Sequence, residues 1–232
     1  GEVYASHAIS LAGSTVEMVN GDSIGLSLDN EDLLINTSTV IIADVEADNG
    51  IIHVIDAVLI PPAEKGEPSM DIVETAVADG NFTTLVATLQ ATGLDTALSD
   101  DSVNYTVFAP TDAAFAMIDP ATIDILLANT DALSSILLQH VVDAEVNSVT
   151  AYTLNGALAA TLSGANIPVL INSETDTLTF GGATIIAKDI YTSNGIIHVI
   201  DTVVIADVEI PDPLGSLVDV AVESGNFTTL VA

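Results

Sequence analysis

The stretch Asn49–Asp56, N-G-I-I-H-V-I-D, returns without a change at Asn194–Asp201, and Gly80–Ala87, G-N-F-T-T-L-V-A, returns at Gly225–Ala232. Both recur at one spacing (194 − 49 = 145 and 225 − 80 = 145). Two unrelated motifs that keep one register over such a distance identify tandem units, because chance similarity holds no common phase. On that register residues 1–60 match the second half of a unit, 61–69 form a linker, and 70–206 make one whole unit. Residues 207–213 form a second linker and 214–232 match only a unit's start. The register predicts that the chain begins and ends inside units of a longer array.

Charge narrows the partners. The 232 residues carry 33 acidic side chains and two basic ones, Lys65 and Lys188, for a formal net charge of −31. Such a field repels phosphate backbones and anionic headgroups, which argues against nucleic acid and membrane surfaces as partners. It suits a solvated, unaggregated extracellular surface. Hydrophobic residues make up 49% of the chain, too many for a disordered acidic tail, so the units are expected to fold. Every apolar run is interrupted before the roughly 18–20 residues a membrane helix needs. With no cysteine there are no disulfides, thiol chemistry or Cys-based zinc sites.

Within 70–206 the pattern runs from helical to extended. Ile72, Val73, Ala76 and Val77 share a helical face within Met70–Asp79, with Gly80 suited to a left-handed C-terminal cap. Asn81 is placed to cap a helix over Phe82–Thr92, ended by Gly93. A strand is expected at Tyr105–Ala109, then a helix begun by Thr111 or Asp112 and running through Ile118. Two more follow, Ala121–Ala128 behind Pro120 and one from Thr130 to about Gln139. From Val149 onward, β-branched alternation is broken by Asn155-Gly156, Gly164, Gly181-Gly182 and Asn194-Gly195, which marks strands and turns. The expected product is an α+β domain with a mainly antiparallel sheet.

Thr106–Phe115, T-V-F-A-P-T-D-A-A-F, resembles the first signature of the fasciclin-like FAS1 domain, and Asn194–Ile205, N-G-I-I-H-V-I-D-T-V-V-I, resembles its second. Asn81–Leu85 and Leu137–Val142 fit the same family in order and spacing. The resemblance spans 70–206 and implies a compact wedge of β-sandwich-like sheet and helices, used in tandem by secreted or surface-anchored proteins of adhesion, matrix and biofilm. It also points to Thr111, Asp112 and His140 as a binding surface. Where many members have Tyr-His in the central motif, this chain has Gln139-His140, and without arginine it contains no Arg-Gly-Asp sequence.

Other residues invite chemical roles. His53 and His198 share a repeat position between Ile and Val, which favours packed strand residues, and no histidine has a partner at zinc-ligand spacing. Asp112 is explained by a first-turn role at a helix start. No nucleophile elbow, phosphate loop, dinucleotide fingerprint or metalloprotease motif is present, so catalysis is not expected. Calcium is the one ligand the linkers suggest, through Glu64 and Glu67 in the first and Asp207, Glu209 and Asp212 in the second. Asn36, Asn81, Asn104 and Asn226 sit in glycosylation sequons.

The sequence thus points to an extracellular adhesion or matrix/biofilm scaffold built from tandem FAS1-like units. Its partners are neighbouring repeats, copies of itself, or a cell-surface or matrix protein or glycan. A self-assembling extracellular filament is the alternative, and a calcium- or glycan-binding surface module a more distant one.

Overall fold

A computed structural model of the chain describes residues 2–172, 175 and 177–206. The first sheet follows helix α1 (Ala5–Ser10) and runs β1 (Ser14–Glu17), β2 (Ser23–Asp29), β3 (Asp32–Ile35), β4 (Ser38–Ala47), β5 (Gly50–Ile55), each antiparallel to the next. An irregular stretch then leads to helices α2 (Ile72–Asp79), α3 (Thr83–Thr92) and α4 (Leu94–Leu98) and strand β6 (Tyr105–Pro110). Next come α5 (Asp112–Phe115), α6 (Pro120–Ala128), α7 (Thr130–Gln139), β7 (Val141–Val142) and α8 (Ser148–Thr153). The chain continues through β8 (Leu158–Ala160), β9 (Asn166–Asn172), β10 (Thr177–Phe180), β11 (Ala183–Thr192) and β12 (Gly195–Ile200). The second sheet has the order β7-β6-β12-β11-β10-β9-β8, antiparallel except where β6 and β12 run parallel. The fold is α+β, as the sequence pattern implies.

Local chemistry accounts for most element ends. Asp71 and Glu74 form a reciprocal capping box on α2, and Gly80 ends it at φ +81°. Gly93 closes α3 the same way. Asp119 caps α6 with Pro120 in its first turn, and Asn129 caps α7. Two expectations need correction. Asn81 does not cap α3: its side-chain amide turns back to Asp79, and the cap comes from Asp112, the first residue of α5. The segment from Val149 begins as helix α8, because Asn147 accepts the Thr150 amide and nucleates a turn before the strands start. Helix α4, directly after Gly93, carried no separate start signal.

The two sheets repeat one another. Elements α1 and α8, and β2 and β9, match at a shift of 143; β3 and β10, β4 and β11, and β5 and β12 match at 145. The two-residue difference is the longer β9–β10 connection. Even the irregularities recur, since β4 and β11 bulge at corresponding places and carry Asp44 and Asp189 at φ +56° and +59°.

What differs is cover. One face of β6 and β12 (Val107, Ala109, Ile197, Val199) packs under a layer formed by α2 to α7. The other face meets β9, β10 and β11, where Phe108 stacks on Phe180 at 3.7 Å. Every residue of β12 is buried, and none of β5 is, although both read G-I-I-H-V-I. Ile197 is 1% exposed and its counterpart Ile52 is 54% exposed. Among the described residues, no single helix is long and apolar enough to cross a membrane.

The two equivalent glycines offer a matched test. At Gly195, where φ is +152°, an added Cβ would lie 2.0 Å from the Tyr105 carbonyl oxygen, whereas at Gly50 it would meet nothing within 4 Å. Gly195→Ala is expected to cost at least about 3 kcal/mol or to prevent folding of 70–206, and Gly50→Ala to stay within about 1 kcal/mol. Chemical denaturation of the two variants checks this, and equal costs would contradict the role assigned to the β6–β12 pairing.

Candidate functional site

Thr111 and Asp112 stand where β6 ends and α5 begins. The Thr111 hydroxyl accepts the Ala114 amide at 3.2 Å and starts α5. Asp112 reaches across to α3: its carboxylate accepts the Thr83 hydroxyl at 2.6 Å, the Thr83 amide at 3.2 Å and the Thr84 amide at 2.7 Å. Its own amide donates to the Asn81 carbonyl at 2.9 Å. Burial works against the charged carboxylate, but the hydrogen bonds from Thr83 and Thr84 outweigh it and hold the pKa at about 2. Asp112 is therefore a fixed anion at a helix N-terminus, unsuited to proton transfer near neutrality.

These residues border a shallow groove of about 480 Å³. Asp79, Asn81 and Asp112 form a polar, acidic side, and Ile186, Ile190 and Val199 an apolar one. Ile186 is largely exposed, as is its repeat counterpart Ile41. The groove offers apolar contact and carboxylate acceptors.

His140 is not part of that surface. It is 2% exposed, with Nδ1 at 2.8 Å from the Ile136 carbonyl at the end of α7. Its Nε2 accepts the Val204 amide at 2.9 Å. Those partners require a neutral ring protonated on Nδ1. Gln139, also buried, closes a second pair of bonds: its Oε1 accepts the Ala206 amide at 2.9 Å and its Nε2 donates to the Ala206 carbonyl. Gln139 and His140 together bolt the segment after β12 onto the end of α7. The expectation of an exposed His140 fails because the helix turns its last residues inward.

The paired histidines are structural bolts as well. In β12, His198 Nδ1 accepts the Asp189 amide at 3.3 Å and Nε2 faces the Val146 carbonyl at 2.8 Å. In β5, His53 makes the same two contacts, with the Asp44 amide at 3.4 Å and the Val3 carbonyl at 2.7 Å. Burial lowers the His198 pKa. Asp189 accepts the Ser148 amide at 2.7 Å and the Ser148 hydroxyl, and Asp44 likewise accepts the Ala5 amide at 2.7 Å. Each bulge aspartate thus anchors the first residue of the helix packed on its sheet. Those aspartates escaped the sequence reading, although their recurrence at a shift of 145 was the available signal.

The remaining candidates separate. Glu64 and Glu67 are exposed, and among the described residues no group of three or more His, Asp or Glu could hold a metal ion. Asp207, Glu209 and Asp212 lie outside the described residues, as does Asn226. Asn81 and Asn104 are exposed. Asn36 is buried at φ +54° with its side-chain oxygen accepting the Gly25 amide at 2.8 Å, so this sequon is closed to glycosylation in the folded chain.

Burial pushes the His140 pKa down from 6.5 to about 4, against the opposing effect of the Ile136 carbonyl. A lowered folded-state value means that the ring's contribution is fully present above about pH 6.5 and is lost as pH falls toward 4, by roughly 3 kcal/mol. His140→Ala is expected to cost about 2–4 kcal/mol at pH 7, since the Val204 amide and Ile136 carbonyl lose their partner. The variant's stability should also fall less steeply between pH 6.5 and 4.5 than that of the native chain. Denaturation curves across that range measure both, and an unchanged pH slope would contradict a buried neutral His140.

A family model for the Fasciclin domain matches residues 1–61 and 80–206. The chain is 32% identical over 197 residues to transforming growth factor-beta-induced protein ig-h3 of Sus scrofa, covering 84% of this chain and 26% of that protein. It is 39% identical over 135 residues to protein sll1735 of Synechocystis, covering 58% and 97%, and 28% identical over 239 residues to human periostin, covering 98% and 27%. The chain thus spans about a quarter of ig-h3 and of periostin. Its fold is like that of a FAS1 domain pair from the insect cell adhesion molecule Fasciclin I, with a TM-score of 0.54 at 20% identity, covering 90% of this chain and 77% of that one. The chain belongs to the fasciclin domain family.

Proposed function

We propose that this chain is a stretch of an extracellular adhesion or matrix scaffold protein in which FAS1 units follow one another and work by weak contacts made many times. The observation that carries this reading is the repetition of one half-unit, strand for strand and bulge for bulge, in a chain of the fasciclin family. Residues 1–60 then act as the C-terminal half of one unit and 70–206 as a complete unit. The linkers are 61–69 and 207–213, and 214–232 opens a further unit. The apolar face of β4 and β5 is the surface that the helical half of the first unit would cover, because the matching face of β11 and β12 lies under α2 to α7.

A net charge of −31 directs binding toward protein or glycan surfaces rather than phosphate-rich ones. Secretion or surface display follows from the adhesive reading, which the family resemblance and the likeness to a domain pair from a cell adhesion molecule support. The shallow groove beside Asp112 has the form of a weak contact site, and repetition converts weak contacts into firm attachment, by about 10²–10⁴ in avidity when geometry allows joint engagement.

Beads coated with the chain at graded density, tested on decellularised matrix and on beads bearing the same chain, separate the possibilities. The adhesive reading predicts matrix retention that rises steeply with coating density, with little competition from soluble chain. Binding only between like-coated beads, with ordered fibres in electron micrographs, would replace it with filament assembly; no retention on either surface would reject both.

A further inference from the structure

The two halves of the chain meet where β2 lies against α8, and one glycine sets how closely. Gly25 is buried, and a Cβ there would lie 2.7 Å from the Val149 carbonyl oxygen and 3.0 Å from Tyr152 Cβ. No side chain fits without moving α8 away. The backbone around Gly25 is held by Asn36, whose side-chain oxygen accepts the Gly25 amide and whose amide donates to the Gly25 carbonyl, both at 2.8 Å. Asn155 follows α8 and donates to the Leu28 carbonyl at 3.0 Å, and Leu34 packs in one cluster with Ala151 and Tyr152.

Both basic residues lie at this junction. Lys65 of the linker pairs with Glu145 at 2.6 Å, and Lys188 donates to the Tyr152 hydroxyl at 2.7 Å beside a small cavity also lined by Asn36 and Leu59. Exposed ion pairs add little energy. Close packing at Gly25 is what defines the fit.

The second sheet carries a different pair at the same place. Pro168 corresponds to Gly25 and Gly181 to Asn36, and the equivalence is structural: the Gly181 amide donates to the Pro168 carbonyl at 2.9 Å, as Asn36 does to Gly25. Proline has no amide to offer, and glycine has no side chain to receive one, so donor and acceptor are lost together. Pro168 also presents an exposed ring where Gly25 presents bare backbone.

We infer that Gly25 and Asn36 form a lock that admits the α8-type helix of the following unit, and that Pro168 and Gly181 mark a face that refuses it. The partner of this surface is a helix of the V-T-A-Y-T kind from the next unit in the same chain. Resting on the tandem reading proposed above, the array has two kinds of junction, one locked in a single orientation and one left to its linker. A fibre made by repeating the first junction is therefore excluded beyond the second unit.

The test moves the second pair into the first sheet. The chain contains no cysteine, so spin labels at Asp48→Cys and Asp124→Cys report the distance between the halves by pulsed electron resonance. The native chain should give one narrow distance peak. Gly25→Pro with Asn36→Gly should lose it to a broad distribution while circular dichroism is unchanged, since the second sheet folds with that pair. Gly25→Ala, which keeps the Asn36 bonds, should lose the peak as well. A narrow peak retained in both folded variants overturns the lock. The readout is orientation, so failure of the adhesive reading would leave it unaffected.

Discussion

Strand β12 is the element on which the second sheet and its helical layer depend. It is paired on one side with β6 in parallel and on the other with the bulged β11, and it carries apolar side chains to both faces. Parallel pairing of two strands far apart in sequence needs a long crossover, and here the crossover is most of the domain: α5, α6, α7, β7, α8 and the return through β8 to β11. Helices wrapped onto one face by that route make the α+β wedge. The absolute burial of Ile196, Ile197 and Ile200 follows from it.

Polar groups complete this arrangement where hydrophobic packing cannot specify orientation. His198 and Asp189 tie β12 and β11 to the segment entering α8; Gln139 and His140 tie α7 to the segment leaving β12; Asp112 ties α5 to α3. Each buried donor or acceptor in these ties meets a partner of fixed geometry, so the packing of one layer on the next has one register. The large surplus of negative charge stays outside this interior. Where the two halves of the chain meet, both lysines lie at the joint, yet the close approach of α8 is decided by a missing Cβ at Gly25.

Much of this was legible in the sequence because its signals are local. Gly80 and Gly93 end helices, Pro120 begins one, and Gly181-Gly182 and Asn194-Gly195 separate strands, while Asn155-Gly156 stands between α8 and β8. The repeat register and the FAS1 signatures supplied the family. What was illegible depends on contacts remote in sequence. The helix start at Thr83 looked like a place for Asn81, but the cap arrives from Asp112, 29 residues away. His140 looked available because a single histidine after Leu-Leu-Gln shows no direction, and only the packing of α7 reveals that it turns inward. Asn36 reads as a sequon until its positive φ and its bond to Gly25 are seen. The candidate surface thereby contracts to the groove beside Thr111 and Asp112.

The same hexapeptide, G-I-I-H-V-I, forms β5 and β12, with equal intrinsic exchange chemistry and different surroundings. Native-state hydrogen exchange on the chain compares them directly. If β6 and the helical layer are what hold this strand, the β12 amides exchange only through global unfolding of 70–206, and their β5 counterparts exchange at least about a hundredfold faster through local opening. Equal protection of the two strands would contradict that account and return their stability to the sequence they share.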